Sequence, residues 1–248
     1  MRKHTFVLLL ASILPLSAQT APKQKPSSAR PGRATQTGRE TPVAQNAVAA
    51  KRSPESIVAF LLPDNVAYPE RLPEVPTADA IAALTTAQAD AMGTRGDAIA
   101  YLMVVLGHER DANRTRLANS LRDCTRDPES CDERMVAYLG NLFERGDSLA
   151  LEPLLNAAET GKLTDSLGAT YGDMIAHDTR AFVSAVSRRS DKEQRRICRM
   201  VASGDGAGLP DESSGDIESA LQKIASEVGP SSQTAMTCLN EIRAFAAK

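Results

Sequence analysis

The chain reads as an all-α protein of about nine or ten stacked antiparallel helices, either α-solenoid-like or an irregular helical bundle. Three observations predict this. Apolar residues recur at spacings of three and four along residues 53–248. Glycine, proline and short polar caps punctuate that pattern at intervals suited to short helices. Nowhere does valine or isoleucine alternate with polar residues as a half-buried strand requires.

The first residues read as a secretory signal. Arg2 and Lys3 form a basic start, and Phe6 to Leu16 is an almost unbroken apolar run too short to span a bilayer. Small residues at Leu16-Ser17-Ala18 place the expected cleavage after Ala18, because Pro22 stands directly after the alternative, Ala21. No cysteine follows the run, which disfavours a lipid anchor, and no later stretch has the apolar length of a membrane helix. The expected product is soluble after cleavage and periplasmic or secreted from a bacterium.

Formal net charge is −2, but it is unevenly divided. The signal carries +2; residues 19–52 carry seven Lys and Arg against Glu40, a net +6, which leaves −10 for the rest. Residues 19–52 are rich in Pro, Gln, Ser, Thr and Ala and have almost no large apolar group. Such a segment cannot bury enough surface to offset the entropy of ordering, so it reads as a disordered basic linker. It is able to touch anionic surfaces, yet it has no aromatic residue to stack on a base, so no specific nucleic-acid signal is present. Residues 53–248 then form a single acidic helical domain.

That domain opens at Ser53, an N-cap followed by Pro54 and the apolar Ile57, Val58, Phe60, Leu61 and Leu62. Pro63 ends the helix, and Pro69, Pro73 and Pro76 keep the next stretch irregular, suited to wrapping over a helical surface in extended form. Thr77 is expected to cap a second helix reaching about Met92, with Ile81 and Leu84 inward and many alanines allowing close approach. GTRGD, residues 93–97, is expected to break it. The run AIAYLMVVL after Asp97 is apolar nearly all round, the mark of a central, covered helix. Helix resumes from Arg114 to Cys124, and another starts at Asp132 with Met135, Val136, Leu139, Leu142 and Phe143 on one side, ending at Gly146.

Residues 148–187 divide into three short pieces marked by Leu149, Leu151, Leu154 and Leu155; by Leu163, Leu167, Tyr171, Met174 and Ile175; and by Phe182, Val183 and Val186. Ser190 and Glu193 then form a capping-box pattern before Ile197, Cys198, Met200 and Val201. GDGAGLPDESSGD reads as a long polar loop, Asp216 leads into Ile217, Leu221, Ile224 and Val228, and a last helix from about Ser232 carries Ala235, Cys238, Leu239, Ile242 and Phe245. With five Phe, four Tyr and no Trp, the core is expected to be mainly aliphatic.

The phrase ALEPLL, Ala150 to Leu155, sets a proline inside a helix that is followed by a short turn and an antiparallel partner. Over Ala150 to about Ser187 this resembles the first helix of HEAT-type repeats, and no second copy of the phrase recurs at a fixed period. The resemblance implies a stacked, scaffold-like fold of the kind that usually binds other proteins. It carries over no functional residue.

Cys124, Cys131, Cys198 and Cys238 all lie in the exported part, and an even number in an oxidising compartment argues for two disulfides. Spacing favours Cys124 with Cys131, bracketing the turn-forming TRDPES, and Cys198 with Cys238 on helices packed side by side. No CxxC pair exists, so zinc is disfavoured. His108 and Glu109 are adjacent and point in different directions, and position 112 is Ala where a HExxH site needs a second histidine. His177 suits a helix C-terminus. No GxSxG elbow is present; GDGAG, Gly204 to Gly208, lacks the Lys and Ser or Thr of a phosphate loop; and Asp205, Asp211, Glu212 and Asp216 do not have calcium-loop spacing. Gly168 and Gly172, four apart, suit close helix packing. Arg195, Arg196 and Arg199 share a helical face, available to an acidic partner or to nearby carboxylates, with Arg188 and Arg189 beside them.

These readings assign no catalytic, cofactor or metal residue. They point to an exported cell-envelope adaptor or binding protein with a protein partner, such as an inhibitor or immunity-type protein. The alternative is an envelope-acting hydrolase whose carboxylate pair is assembled from separate helices.

Overall fold

The structure, a computed structural model, describes residues 52–127, 132–204 and 212–247. The expected signal, and the linker up to Lys51, lie outside these residues. The described part lies within one compact unit, Ala50–Lys248. The protein is all-α: 79% helical and without strands among the described residues.

Among the described residues ten α-helices follow one another: α1 (Pro54–Leu61), α2 (Thr77–Gln88), α3 (Gly93–Val105), α4 (Arg110–Arg126), α5 (Arg134–Glu144), α6 (Leu151–Leu155), α7 (Lys162–Val186), α8 (Asp191–Gly204), α9 (Glu212–Ala225) and α10 (Pro230–Ala246). Consecutive helices pair as hairpins, α1 with α2, α3 with α4, and so on to α9 with α10. The hairpins stack in two layers. In one, α3 packs on α5, α5 on α7 and α7 on α9; in the other, α4 packs on α6 and α8 on α10. Side chains complete the second layer. Gln88 at the end of α2 donates to Asn113 of α4 (2.7 Å), and Arg196 of α8 donates to the carbonyls of Leu155 (2.8 Å) and Ala157 (2.9 Å) at the end of α6.

Helices α8 and α10 run parallel. Thr234 of α10 donates to Gln194 of α8 (2.9 Å), Cys198 faces Cys238, and Arg199 pairs with Glu241 (3.3 Å), so the two helices advance together. The Cys198 and Cys238 sulfurs lie at bonding distance, 1.95 Å. Cys124 is also disulfide-bonded, while its expected partner Cys131 lies outside the described residues.

Between the layers the core is mainly aliphatic, as expected, with Tyr101, Tyr171 and Phe182 as its largest aromatic members. Ala98 to Val104 are buried without interruption, which makes α3 the covered central helix. Tyr171 donates its hydroxyl to the Leu154 carbonyl (2.7 Å), and burial pushes that hydroxyl's pKa up.

Several boundaries differ from expectation. Thr77 is the first helical residue of α2, not its cap; Pro76 takes the cap position, and the helix stops at Gln88. Ile81 is only half-buried, and Ala80, Ala83 and Leu84 carry the buried face. GTRGD does not break a helix but begins α3, and the break is Ala89–Met92. Gly96 there makes room for Arg116: a Cβ would stand 1.7 Å from its guanidinium. The proline-rich stretch is not extended; it forms 3-10 turns at Pro63–Asn65 and Pro69–Glu74. Arg71 fastens it, donating to the Phe60 carbonyl (2.7 Å) and lying over the Tyr68 ring. The helix containing Arg114 begins earlier, at Arg110, and the one expected at Asp132 begins at Arg134, with the Asp132 carboxylate accepting from the Arg134 amide (3.1 Å).

The second and third expected pieces of residues 148–187 form one helix, α7, with a sharp kink at Asp178 (φ −147°, ψ 79°). The Asp178 carboxylate accepts from the Ala181 amide (3.0 Å) and so caps the second half from within. Leu149 and Val228, expected in apolar stripes, are instead exposed, and Phe245 is 40% exposed. The polar loop after Gly204 is shorter than expected, since Glu212 to Asp216 are helical; residues 205–211 lie outside the described residues.

Candidate functional site

The residues singled out for chemistry are dispersed. His108 is half-buried in the turn between α3 and α4, where its amide donates to the Met103 carbonyl (2.9 Å) and its own carbonyl accepts from Asn113 (3.3 Å). His177 is exposed just before the kink of α7, its ring edge-on to Phe143 at 6.4 Å. None of the grooves described below is lined by either histidine. Gly204 ends α8 against Gly168, Asp205 and Asp211 lie outside the described residues, and no group of three or more His, Cys, Asp or Glu converges among the described ones.

Three of the arginines on and before α8 are bonded to the fold. Arg196 caps the end of α6, Arg199 pairs with Glu241, and Arg189 donates to Asn156 (2.6 Å) and pairs with Glu152 (2.5 Å). Nearby carboxylates and carbonyls therefore take up much of this face. Arg195 remains exposed in a polar groove of about 700 Å³ between α8 and α10, with Asp191, Gln194, Gln233, Thr237, Asn240 and Glu241.

Two carboxylates from separate elements, Asp97 and Asp132, act on each other through their charges. Asp97, in the second turn of α3, is 5% exposed; it accepts from Ser120 (2.8 Å) and Arg116 (3.4 Å) of α4. Burial raises its pKa against the opposing pull of Ser120 and Arg116, and the charge of Asp132 raises it further. Burial also works against ionisation of Asp132, but both Asp132 oxygens accept from Arg134 Nε (2.8 and 3.0 Å) and its pKa is lowered on balance. Two carboxylates pushed in opposite directions is the pattern that acid and base work uses. Here the Asp97 bonds tie α3 to α4, and the Asp132 bonds stay within the segment that opens α5.

A groove between α1 and α2 is built differently. Ser53 caps α1 by accepting from the Ser56 amide (3.2 Å), Pro54 follows, and Ile57, Val58 and Leu61 are buried. Because α2 presents alanines at 83 and 87 where larger residues would fill the space, a trough of about 530 Å³ remains, floored by Val58, Leu62 and Ala83. Ala59 and Ala87 line it too. Its polar wall holds Glu55, Asp64 and Asp90 against the single Arg95. The turn carrying Asp64 is held with left-handed backbone at Asp64 (φ 53°) and Asn65 (φ 59°). Asp64 and Asp90 have no ion-pair partner among the described residues.

Comparison with protein-family models, curated proteins and solved structures finds no match for this chain. The local geometry is therefore the sole guide to its sites. Sequence reasoning did not find the α1/α2 groove, although one signal was present: an alanine-rich helix, TADAIAALTTAQ, set against the bulkier IVAFLL.

Proposed function

We propose that this chain is an exported binding protein of the bacterial cell envelope, holding a protein partner on its helical stack as an inhibitor or immunity-type protein does. The observation that carries the reading is the pair of open grooves, α1/α2 and α8/α10, left between helices of the stack. Open troughs between fixed helices are where an extended or helical segment of another protein gains contact area without disturbing the core. The basic and apolar N-terminus supports export, and a cysteine pair at bonding distance fits an oxidising compartment. No described helix is long and apolar enough to cross a membrane.

The test is site-specific photocrosslinking with the mature chain in envelope extract, placing the reactive group at Ala59, at Thr237 and at the exposed Ser219 of α9 as control. One protein crosslinked from a groove position and not from Ser219 supports the reading. Crosslinks to nothing at either groove position overturn it.

A second reading, the envelope-acting hydrolase, has one observation in its favour: the opposed Asp97 and Asp132 carboxylates. It requires that Asp97→Asn abolish an activity of the chain on purified wall material.

A further inference from the structure

The two grooves differ in how far their charges are already committed. In the α8/α10 groove, Gln194 donates to the Arg189 carbonyl (2.9 Å) and accepts from Thr234, Arg189 pairs with Glu152, and Glu241 pairs with Arg199. Several of its donors and acceptors are thus spent on the fold, and its remaining charged side chains, Asp191 and Arg195, are of opposite sign. In the α1/α2 groove the floor is apolar, and three carboxylates face one guanidinium, with Asp64 and Asp90 exposed and unpaired among the described residues. An apolar floor beneath uncompensated negative charge has a definite complement.

Resting on the binding reading, we infer that the α1/α2 groove takes a short partner segment in which one or two apolar side chains are flanked by Lys or Arg. The apolar side chains seat on Val58, Leu62, Ala83 and Ala87, where the short alanines leave room for them. The flanking cations meet Glu55, Asp64 and Asp90. Glu55 is held ionised there by hydrogen bonding to backbone and to Ser53 at the start of α1. The charge of the body, −10 over residues 53–248, draws a basic segment in from a distance. An acidic segment meets repulsion at the same place, so the rim selects as well as attracts.

The experiment is selection of a random peptide library on the immobilised mature chain, followed by affinity measurement of the enriched peptides on wild type and on the double variant Ala59→Arg/Asp90→Lys. Both changes are at exposed positions, and circular dichroism verifies that the variant is folded. Expected are peptides of net positive charge with an apolar pair, binding about tenfold or more weaker to the variant and weakening as salt is raised. Enrichment of acidic or uncharged peptides, equal binding to the variant, or no enrichment overturns the inference. So does self-association of the chain that the variant abolishes, which makes a second copy the occupant. A partner crosslinked at Thr237 but not at Ala59 leaves the binding reading standing and removes this inference alone.

Discussion

Gly168 of α7 and Gly204 of α8 meet main chain to main chain. A Cβ on Gly168 would stand 2.4 Å from the Met200 carbonyl oxygen and 2.6 Å from the Gly204 Cα, and a Cβ on Gly204 would stand 2.3 Å from the Gly168 Cα. Because the obstructing atoms are backbone, no side-chain rotation relieves the clash. The two helices touch at this point only because both residues lack a side chain.

Gly168→Ala is therefore expected to destabilise the chain by about 2 kcal/mol, although alanine is the better helix former by up to ~1 kcal/mol. Gly204→Ala acts on the same contact, so the double variant should lose less than the sum of the two. Urea denaturation of the three variants measures this. A stabilising Gly168→Ala contradicts the contact.

Removing the buried bridge with Cys198→Ala/Cys238→Ala frees a loop with a sequence separation of 40. The entropic account of cross-links puts the loss at about 4 kcal/mol. Reductant should lower the stability of the wild-type chain by at least as much, since it also opens the bridge of Cys124, and the double variant should respond to reductant only through Cys124.

Asp97 gives a pH dependence of defined sign. A carboxyl whose pKa is higher in the folded chain binds its proton more tightly there. Folding is thus favoured when the group is protonated, and that advantage is lost as pH rises through the raised value. Asp97→Asn keeps a partner for Ser120 without the buried charge. It should be at least as stable as wild type at neutral pH, and any gain should vanish below about pH 4, the unfolded carboxyl range. Thermal melts across pH check this, and a marked loss at neutral pH shows that the Arg116 pairing outweighs burial.

Asp147 and Arg114 make a different kind of pair. Their side chains are 5% and 12% exposed at 2.8 Å, and Arg110 joins them at 3.3 Å. Asp147→Ala leaves a largely buried guanidinium with only the exposed Asp111 as partner (2.9 Å) and should cost about 3 kcal/mol. Breaking the exposed Arg180–Glu227 pair should cost less than about 1 kcal/mol. Paired denaturation curves separate the two cases.

Much of the fold was written locally and could be read so. Ser190 and Glu193 form the reciprocal cap the spacing announced, with the Ser190 amide donating to Glu193 (3.1 Å) and the Glu193 amide to Ser190 (3.4 Å). The stop after His177 is present as the Asp178 kink, although the helix resumes at once. What misled the reading was context. Gly93 and Gly96 signal a break by propensity, yet they open α3 because Arg116 needs the space above Gly96. Sequence alone leaves Arg196 available to an acidic partner or to nearby carboxylates, and nothing local reveals that the carbonyls at the end of α6 lie beside it. The α1/α2 groove was hidden for the same reason. It is a shape made by residues that are unremarkable one at a time, and it exists only once two helices are placed side by side.

The stacked rings of Tyr101 and Tyr138, centroids 4.6 Å apart and 9° from parallel, have a spectroscopic consequence. The chain has no tryptophan and four tyrosines, so its aromatic ultraviolet signal belongs to very few chromophores. Two of them form this stack between α3 and α5, where Tyr138 also accepts from the Ala67 amide (3.1 Å), and a third, Tyr171, is wholly enclosed. Near-ultraviolet dichroism of the unlabelled protein is thus a built-in gauge of whether its central hairpins are docked.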